Sequence, residues 1–302
     1  MTSDRALELD SIPRSAIVLG GGVIGCEFAS LWASLGVEVT IVEAAPRLVP
    51  TEDEWSSKQL TRAFRKRGIT IRTAAMLSAA RVTDAGVTAD LGDSESLNAD
   101  ILLVAVGRGP RTSGLGLEEA GIRLDRGFVE VDDALQTTVP GVYAVGDIVP
   151  GPQLAHRGFA NGIFVAEQLA GLDCVPVADS GIPRVTYSHP EVASIGLTEA
   201  EAVERHGDVT TAIYDLGGNG KSRILQTSGG VKLVRAGSDG PVVGIHLVGD
   251  RVGELIGEAQ LIYNWEATAD DVANLVHAHP TQAEALGEAH LALAGKPLHA
   301  HA

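Results

Sequence analysis

Ala16-Ile17-Val18-Leu19-Gly20-Gly21-Gly22-Val23-Ile24-Gly25 decides the fold. A short apolar run enters a glycine turn, and Ile24, Phe28, Leu31 and Leu35 follow at spacings of four, three and four, which predicts one apolar helix face. Gly36 closes that helix, and Val37 to Val42 reads as the next buried strand. Glu43 stands at the end of that strand, 18 residues beyond Gly25. Strand, glycine turn, helix, strand and acid in this order form a dinucleotide fingerprint. Gly20 permits the tight turn, Gly22 lets the backbone approach a pyrophosphate, and Gly25 lets the helix pack on the strand. Gly21, Val23 and Ile24 complete the turn and open the helix, whose unpaired N–H groups and positive dipole end suit phosphate. A carboxylate at Glu43 accepts from ribose hydroxyls and repels a 2′-phosphate, so NAD is expected over NADP. Arg47 is the nearby cation that a 2′-phosphate would otherwise meet. Glu27 is a further candidate for the nucleotide site, although a carboxylate in the first turn is also stabilised by the helix dipole alone. Cys26 reads as a small buried hydrophobe.

The remainder supports two or three domains within 302 residues. Thr51 followed by Glu54 predicts a capping box opening a helix through Leu60 and Phe64 to Gly68. Strands are expected at Ile69 to Arg72 and Ile101 to Val106, with a polar meander near Asp84-Ala85-Gly86. The alternation predicts a doubly wound parallel sheet over about 10–111. A central segment, 112–178, is expected to hold a strand at Gly141 to Val145 and a helix from Ala155 to Ala170. The section 179–302 changes style. Hairpin signals at Gly217-Gly218-Asn219-Gly220 and Gly229-Gly230 separate β-rich runs, and helices follow from Gly253 to Leu293. An antiparallel sheet with helices on one face fits that order.

A net charge of −16 repels phosphate backbones and anionic lipid, so neither nucleic acid nor a membrane is an expected partner. The two cysteines, Cys26 and Cys174, make no disulfide scaffold and have no metal-ligand spacing, which predicts a cytoplasmic protein without a metal. Met1 to Arg14 is charged throughout, unlike a signal peptide, and no apolar run approaches the length of a membrane span.

Several segments resemble the pyridine nucleotide–disulfide oxidoreductases, and among them the dihydrolipoamide dehydrogenases. Thr138-Val139-Pro140-Gly141-Val142-Tyr143-Ala144-Val145-Gly146-Asp147 resembles the family's second flavin motif, although Gly146-Asp147 alone reads as an ordinary turn. Leu154-Ala155-His156 resembles the start of a helix aimed at the flavin, and Ala105-Val106-Gly107-Arg108 the return strand near the nicotinamide. His277-Ala278-His279-Pro280-Thr281-Gln282-Ala283-Glu284 is the most specific match. Tyr187 to Ala193 and Gly218 to Ser222 resemble segments of the family's interface domain.

The resemblance implies that Asp147 and Ala155 face FAD and that Gly107 lies near the nicotinamide. It implies that His279 is the catalytic acid–base, with Glu284 orienting it; an imidazole titrates near neutrality and suits that task. His277 is read as structural or exposed, and His299 and His301 as mobile ends. His189 precedes a proline as His279 does, but lacks the downstream Thr-x-x-Glu.

The fold implied is α/β: a Rossmann-like NAD-binding domain, a partial FAD-binding segment and an α+β dimerisation domain. The activity implied is oxidation of protein-bound dihydrolipoyl groups by NAD+ through FAD and a redox disulfide, in a homodimer serving the lipoyl domains of 2-oxoacid dehydrogenase complexes. The family's first flavin motif and Cys-x4-Cys pair are not among these residues, and Phe159-Ala160-Asn161 stands where many members carry acids. The isolated chain is therefore expected neither to retain FAD nor to oxidise dihydrolipoamide. The apolar series Leu255, Ile256, Leu261, Ile262 and Trp265 is expected to contribute to a two-fold interface of more than roughly 2,000 Å². The rival readings are another disulfide reductase, such as glutathione or mercuric ion reductase, and a non-catalytic NAD-binding and dimerisation module. Glu43 argues against the NADP users, and the lack of a C-terminal cysteine pair against mercuric reductase.

Overall fold

Apolar residues that recur without a break, as in Ala16-Ile17-Val18, belong to strands covered on both faces, and the computed structural model of residues 1–92 and 95–299 places them so. After a short helix α1 (Ser3–Ala6), β1 (Ser15–Leu19), α2 (Val23–Ser34), β2 (Glu38–Val42), α3 (Glu54–Lys66) and β3 (Thr70–Arg72) follow. An antiparallel meander, β4 (Leu77–Thr83), β5 (Gly86–Leu91) and β6 (Glu95–Ala99), leads to β7 (Ile101–Val104). The parallel sheet runs β3-β2-β1-β7, so β1, which feeds the glycine turn, lies inside it.

The local structure departs from expectation in α2 and α3. The buried face of α2 is Gly25, Cys26, Phe28, Ala29 and Trp32, while Leu31 and Leu35 are exposed. Small residues at 25, 26 and 29 let the helix approach the sheet closely, and that outweighs covering two leucines. The cap of α3 is Asp53 rather than Thr51; its carboxylate accepts from the Trp55 N–H at 2.9 Å.

Residues 108–182 form a separate compact unit. It contains the two-stranded β8 (Leu124–Asp125) and β9 (Phe128–Val129) and helix α4 (Ala155–Leu169). Its small core gathers Ile122, Val129, Ala144 and Val149. The expected strand at Gly141 to Val145 is reduced to one bridge, Gln136 with Tyr143, and then turns into a 3-10 helix at Gly146–Ile148. Gly141 and Gly146, at φ +80° and +76°, take the chain out of the extended region at both ends of the run. Arg157, buried in α4, donates from Nε to Asp179 at 2.7 Å and from Nη2 to the Pro150 carbonyl at 2.6 Å.

The last section shares one compact unit with the first. It comprises β10 (Arg184–Thr186), β11 (Glu191–Gly196), α5 (Glu199–His206), β12 (Val209–Asp215), α6 (Gly220–Ile224), β13 (Gly230–Ala236), β14 (Val242–Gly249), α7 (Val252–Asn264), α8 (Ala269–Ala273) and α9 (Glu284–Leu293). The antiparallel sheet runs β10-β11-β14-β13-β12. Val231, Leu233, Ile245 and Leu247 pack with Ile256, Ile262 and Leu286 of α7 and α9. The opposite face carries Lys232, His246 and Val248, met by α3 and α5. The sheet is thus covered on both faces, not one, and the second cover includes α3 from the distant first section. Leu216-Gly217-Gly218 is a 3-10 turn and Asn219 caps α6, so the expected hairpin turn is a helix start. Ile256 and Ile262 enter the core, whereas Leu261 and Trp265 are exposed. Among the described residues no helix is long and apolar enough to cross a membrane.

Candidate functional site

The glycine turn is shaped by backbone crowding. Gly20 has φ +109°, and a Cβ there would lie 2.3 Å from the Ala105 carbonyl oxygen. A Cβ on Gly25 would fall 1.9 Å from the Gly20 carbonyl oxygen, so α2 leaves the turn at a distance only glycine allows. Gly21 is confined by Leu48 and Glu43. Gly22 differs: among the described residues, no atom beyond its chain neighbours lies within 4 Å of the position its Cβ would take. Among the described residues no side chain caps the N-terminus of α2, where Val23 is exposed and Ile24 partly buried. Open space beside a helix start is what a phosphate group requires. Gly107, with φ +147°, likewise has open space at its Cβ position.

Glu43 is locked to this turn. Its Oε2 accepts from the Gly21 N–H at 2.5 Å and its Oε1 from the Ala45 N–H at 2.6 Å. Arg47 is committed within its own loop, donating to the Glu52 and Pro50 carbonyls at 2.6 Å each and to Ser57 Oγ at 2.7 Å. Glu27 accepts from the Tyr187 N–H at 2.8 Å, which ties α2 to the chain before β11. Burial raises the Glu27 carboxyl above its ordinary range, against the pull of that N–H. Ser30 and Arg67 reinforce the junction: the His189 N–H donates to Ser30 Oγ at 2.7 Å, and Arg67 donates to the His189 carbonyl at 2.6 Å. His189 itself lies 4.0 Å from an Asp250 oxygen, a looser arrangement than that of His279.

Near the C-terminus, His279 Nδ1 meets Glu284 Oε1 at 2.9 Å, and the other Glu284 oxygen accepts from the Thr281 N–H at 2.8 Å. A carboxylate only accepts, so Nδ1 carries the proton and Nε2 is left for chemistry. The His279 side chain is 77% exposed. Burial alone would raise the Glu284 carboxyl, but the Thr281 N–H and His279 outweigh it and hold it below the usual range. Asn219 Nδ2 donates to the Thr281 carbonyl at 2.9 Å and Gln282 Nε2 to the Asp250 carbonyl at 2.8 Å, anchoring the loop downstream of His279. Neither anchor is evident in the sequence, since each partner is distant along the chain.

His277 is paired and mostly buried: Nε2 lies 2.7 Å from Glu258 Oε1. His299 is corrected from a mobile end, because Glu288 accepts from its N–H at 3.0 Å and meets its Nδ1 at 2.7 Å. His301 lies outside the described residues. Cys26 and Cys174 are free thiols; Cys26 is buried, and its thiol is pushed up by burial and then by Glu43 and Glu27. In the unit formed by residues 108–182, Asp147 is exposed in the 3-10 turn, and Ala155 is exposed at the start of α4, which has no side-chain cap. Among the described residues no cluster of ligating side chains suits a metal.

Residues 1–162 match the pyridine nucleotide-disulphide oxidoreductase family, and residues 182–290 match its dimerisation domain. The chain belongs to the pyridine nucleotide-disulphide oxidoreductases. It is 41% identical over 304 residues to a dihydrolipoyl dehydrogenase of Bacillus subtilis, across 99% of this chain and 66% of that protein. A dihydrolipoyl dehydrogenase of Chlorobaculum tepidum is 42% identical over 294 residues, across 96% of this chain and 63% of the other. The chain therefore spans slightly less than two thirds of these relatives' length. Among solved structures, LpdA of Mycobacterium tuberculosis matches with a TM-score of 0.89 at 28% identity, covering 97% of this chain and 64% of that one. The HOCl-induced flavoprotein disulfide reductase RclA of Escherichia coli also matches at 0.89, with 27% identity, covering 96% and 67%.

Proposed function

We propose that this chain supplies the NAD site, the acid–base pair and the dimer-forming section of a dihydrolipoyl dehydrogenase that oxidises protein-bound dihydrolipoyl groups with NAD+. The observation that carries the reading is the His279–Glu284 pair, an exposed imidazole whose Nδ1–H is fixed by a carboxylate at 2.9 Å. The 41–42% identity to relatives named for that activity favours it over the disulfide reductase represented by RclA, at 27%.

In this reading Gly20, Gly21, Gly22 and Gly25 shape the seat of the NAD pyrophosphate, with the first turn of α2 at Val23 and Ile24 facing the phosphates. Glu43 faces the adenosine ribose, and Gly107 leaves room beside the nicotinamide. Glu27 acts from behind, holding α2 to the segment at Tyr187. The open space at Gly22 and the uncapped helix fit a bound phosphate. Asp147 and the start of α4 at Ala155 would hold part of FAD; an exposed carboxylate and an uncapped helix N-terminus suit a ribitol hydroxyl and an electron-rich ring. FAD, when bound, supplies the passage of an electron pair between the dithiol–disulfide side and NAD+. His279 Nε2 takes the proton of a thiol, and Glu284 steadies the imidazolium that results. The domains we assign are 10–111 for NAD, 112–178 as the partial flavin segment and 179–302 for dimerisation. The assembly is a homodimer whose interface includes Leu261 and Trp265, which are exposed in the single chain, and the macromolecular partners are lipoyl domains of 2-oxoacid dehydrogenase complexes.

Two results test this. Titration with both nucleotides should show tighter binding of NADH than NADPH, because Glu43 faces the ribose and Arg47 is committed elsewhere. Equal affinity, or an NADPH preference that survives Glu43→Ala, would reject the specificity argument. The 302 residues alone should give no dihydrolipoamide-dependent NADH formation, since their two cysteines are free and separate. When they are joined to the additional segment that the Bacillus subtilis relative contains, activity should appear, and His279→Gln should lower it about 10²–10⁴-fold. Activity retained by His279→Gln would mean that another group is the base.

A further inference from the structure

The loop that carries His279 runs outside regular structure between α8 and α9. Its downstream arm is held at Thr281 and Gln282 by Asn219, Glu284 and the Asp250 carbonyl. Its upstream arm lies in solvent: Leu275 is 60% and Val276 97% exposed. Within residues 274–280 every residue is exposed except His277. That one inward side chain has a prepared seat. Its Nε2 lies 2.7 Å from Glu258 of α7, and its ring rests against α9 where a Cβ on Gly287 would fall 2.6 Å from Nδ1 and 2.9 Å from Cε1. Glycine inside a helix lowers stability relative to alanine, so Gly287 needs a packing reason, and the His277 ring is that reason. Gly287 stands three residues beyond Glu284, one turn further along the same helix, so the two histidines of the loop dock on successive turns of α9.

We propose that His277 is a positioning residue for the His279–Glu284 pair, clamping the upstream arm of the loop between Glu258 and the Gly287 notch so that the His279 ring faces its carboxylate. The inference rests on the reading of His279 as the acid–base, and it assigns His277 no contact with substrate. The charged and titratable groups around the clamp are Glu258 from α7 and Glu284 and His290 from α9. Glu258, by its hydrogen bond, raises the proton affinity of His277 against the opposing effect of burial, which strengthens the clamp as an ion pair. His290 is pushed down to about 4, chiefly by burial, and stays neutral beside it.

The test reads the His279 ring directly in the 302-residue chain. Long-range ¹H–¹⁵N spectra of labelled protein, taken where the imidazole is neutral, report which nitrogen carries the proton. The parent should show Nδ1–H, as the Glu284 pairing dictates. His277→Gln and Gly287→Ala should each lose roughly half or more of that tautomer, because the nitrogen protonated is set by the bond the ring makes. Glu258→Gln, at a partly exposed position, should give a smaller loss in the same direction and covers the case in which a core variant fails to fold. In a Glu284→Gln background, His277→Gln should produce no further change. An unaltered His279 tautomer in folded His277→Gln, or in Glu258→Gln if that variant alone folds, would overturn the proposal; so would an equal change in the Glu284→Gln background. These outcomes stand apart from the functional reading, whose failure would appear as activity surviving His279→Gln while the tautomer coupling persists.

Discussion

Gly22→Ala should leave the fold unchanged and lower NADH affinity at least about tenfold, a loss of about 1.4 kcal/mol, whereas Gly25→Ala should unsettle the fold itself. The contrast follows from where each added methyl goes. At Gly22 it meets nothing within 4 Å, in a backbone conformation of φ −74° that any residue adopts. Its only effect would be to occupy the open space beside the start of α2. At Gly25 it would fall 1.9 Å from the Gly20 carbonyl oxygen and 3.2 Å from Val18 Cγ1, so α2 must move off β1. Overpacking of that kind costs about 1–3 kcal/mol. Thermal melting and NADH titration of both variants separate the two roles. If Gly22→Ala binds NADH as tightly as the parent, the turn does not seat the pyrophosphate.

The same geometry shows why this part of the molecule is legible in sequence. The turn depends on residues within one strand and one helix, and its glycines are required by backbone positions only a few residues away. Where a side chain answers to a distant partner, the sequence misleads. Thr51 and Glu54 have capping-box spacing, yet Asp53 takes the cap because its carboxylate also meets Lys232. Asn219 looks like a hairpin residue, but it caps α6 and reaches Thr281. The amphipathic stripe of α2 points to Leu31 and Leu35, but close approach to the sheet selects Gly25, Cys26 and Ala29. The second cover of the antiparallel sheet was hidden for the same reason, since α3 lies far away along the chain. The His279 pairing is implied only by the family resemblance, because a histidine five residues before a glutamate is common in any sequence. The buried anchor at His277 is invisible without knowing where Glu258 and Gly287 lie.

The distant partner of Asp53 also sets the largest stability effect we expect. Lys232, 4% exposed, places Nζ 2.7 Å from Asp53 Oδ1 and 2.6 Å from Glu199 Oε2, beneath the antiparallel sheet. Asp53 Oδ2 accepts in addition from the Glu199 N–H at 2.9 Å, so one carboxylate caps α3 and fastens the start of α5. Burial alone would raise the Asp53 carboxyl, but Lys232 and the Glu199 N–H outweigh it and hold it below the usual range. The neighbouring His246 gives no replacement cation, because burial pushes it down to about 4. Lys232→Met therefore leaves a buried anion without its partner and should cost about 3–5 kcal/mol in urea denaturation at neutral pH. Adding Asp53→Asn should return much of that loss, since the uncompensated charge is gone and the amide oxygen still accepts from Trp55. The pH dependence has a definite sign. A carboxyl held low when folded contributes fully above its unfolded value of about 4 and loses its contribution as pH falls through the folded value. The difference between parent and Lys232→Met should accordingly narrow as the medium is acidified, because protonated Asp53 needs no cation. A difference that stays constant down to the acid transition would show that Lys232 acts through packing of its methylenes rather than through charge.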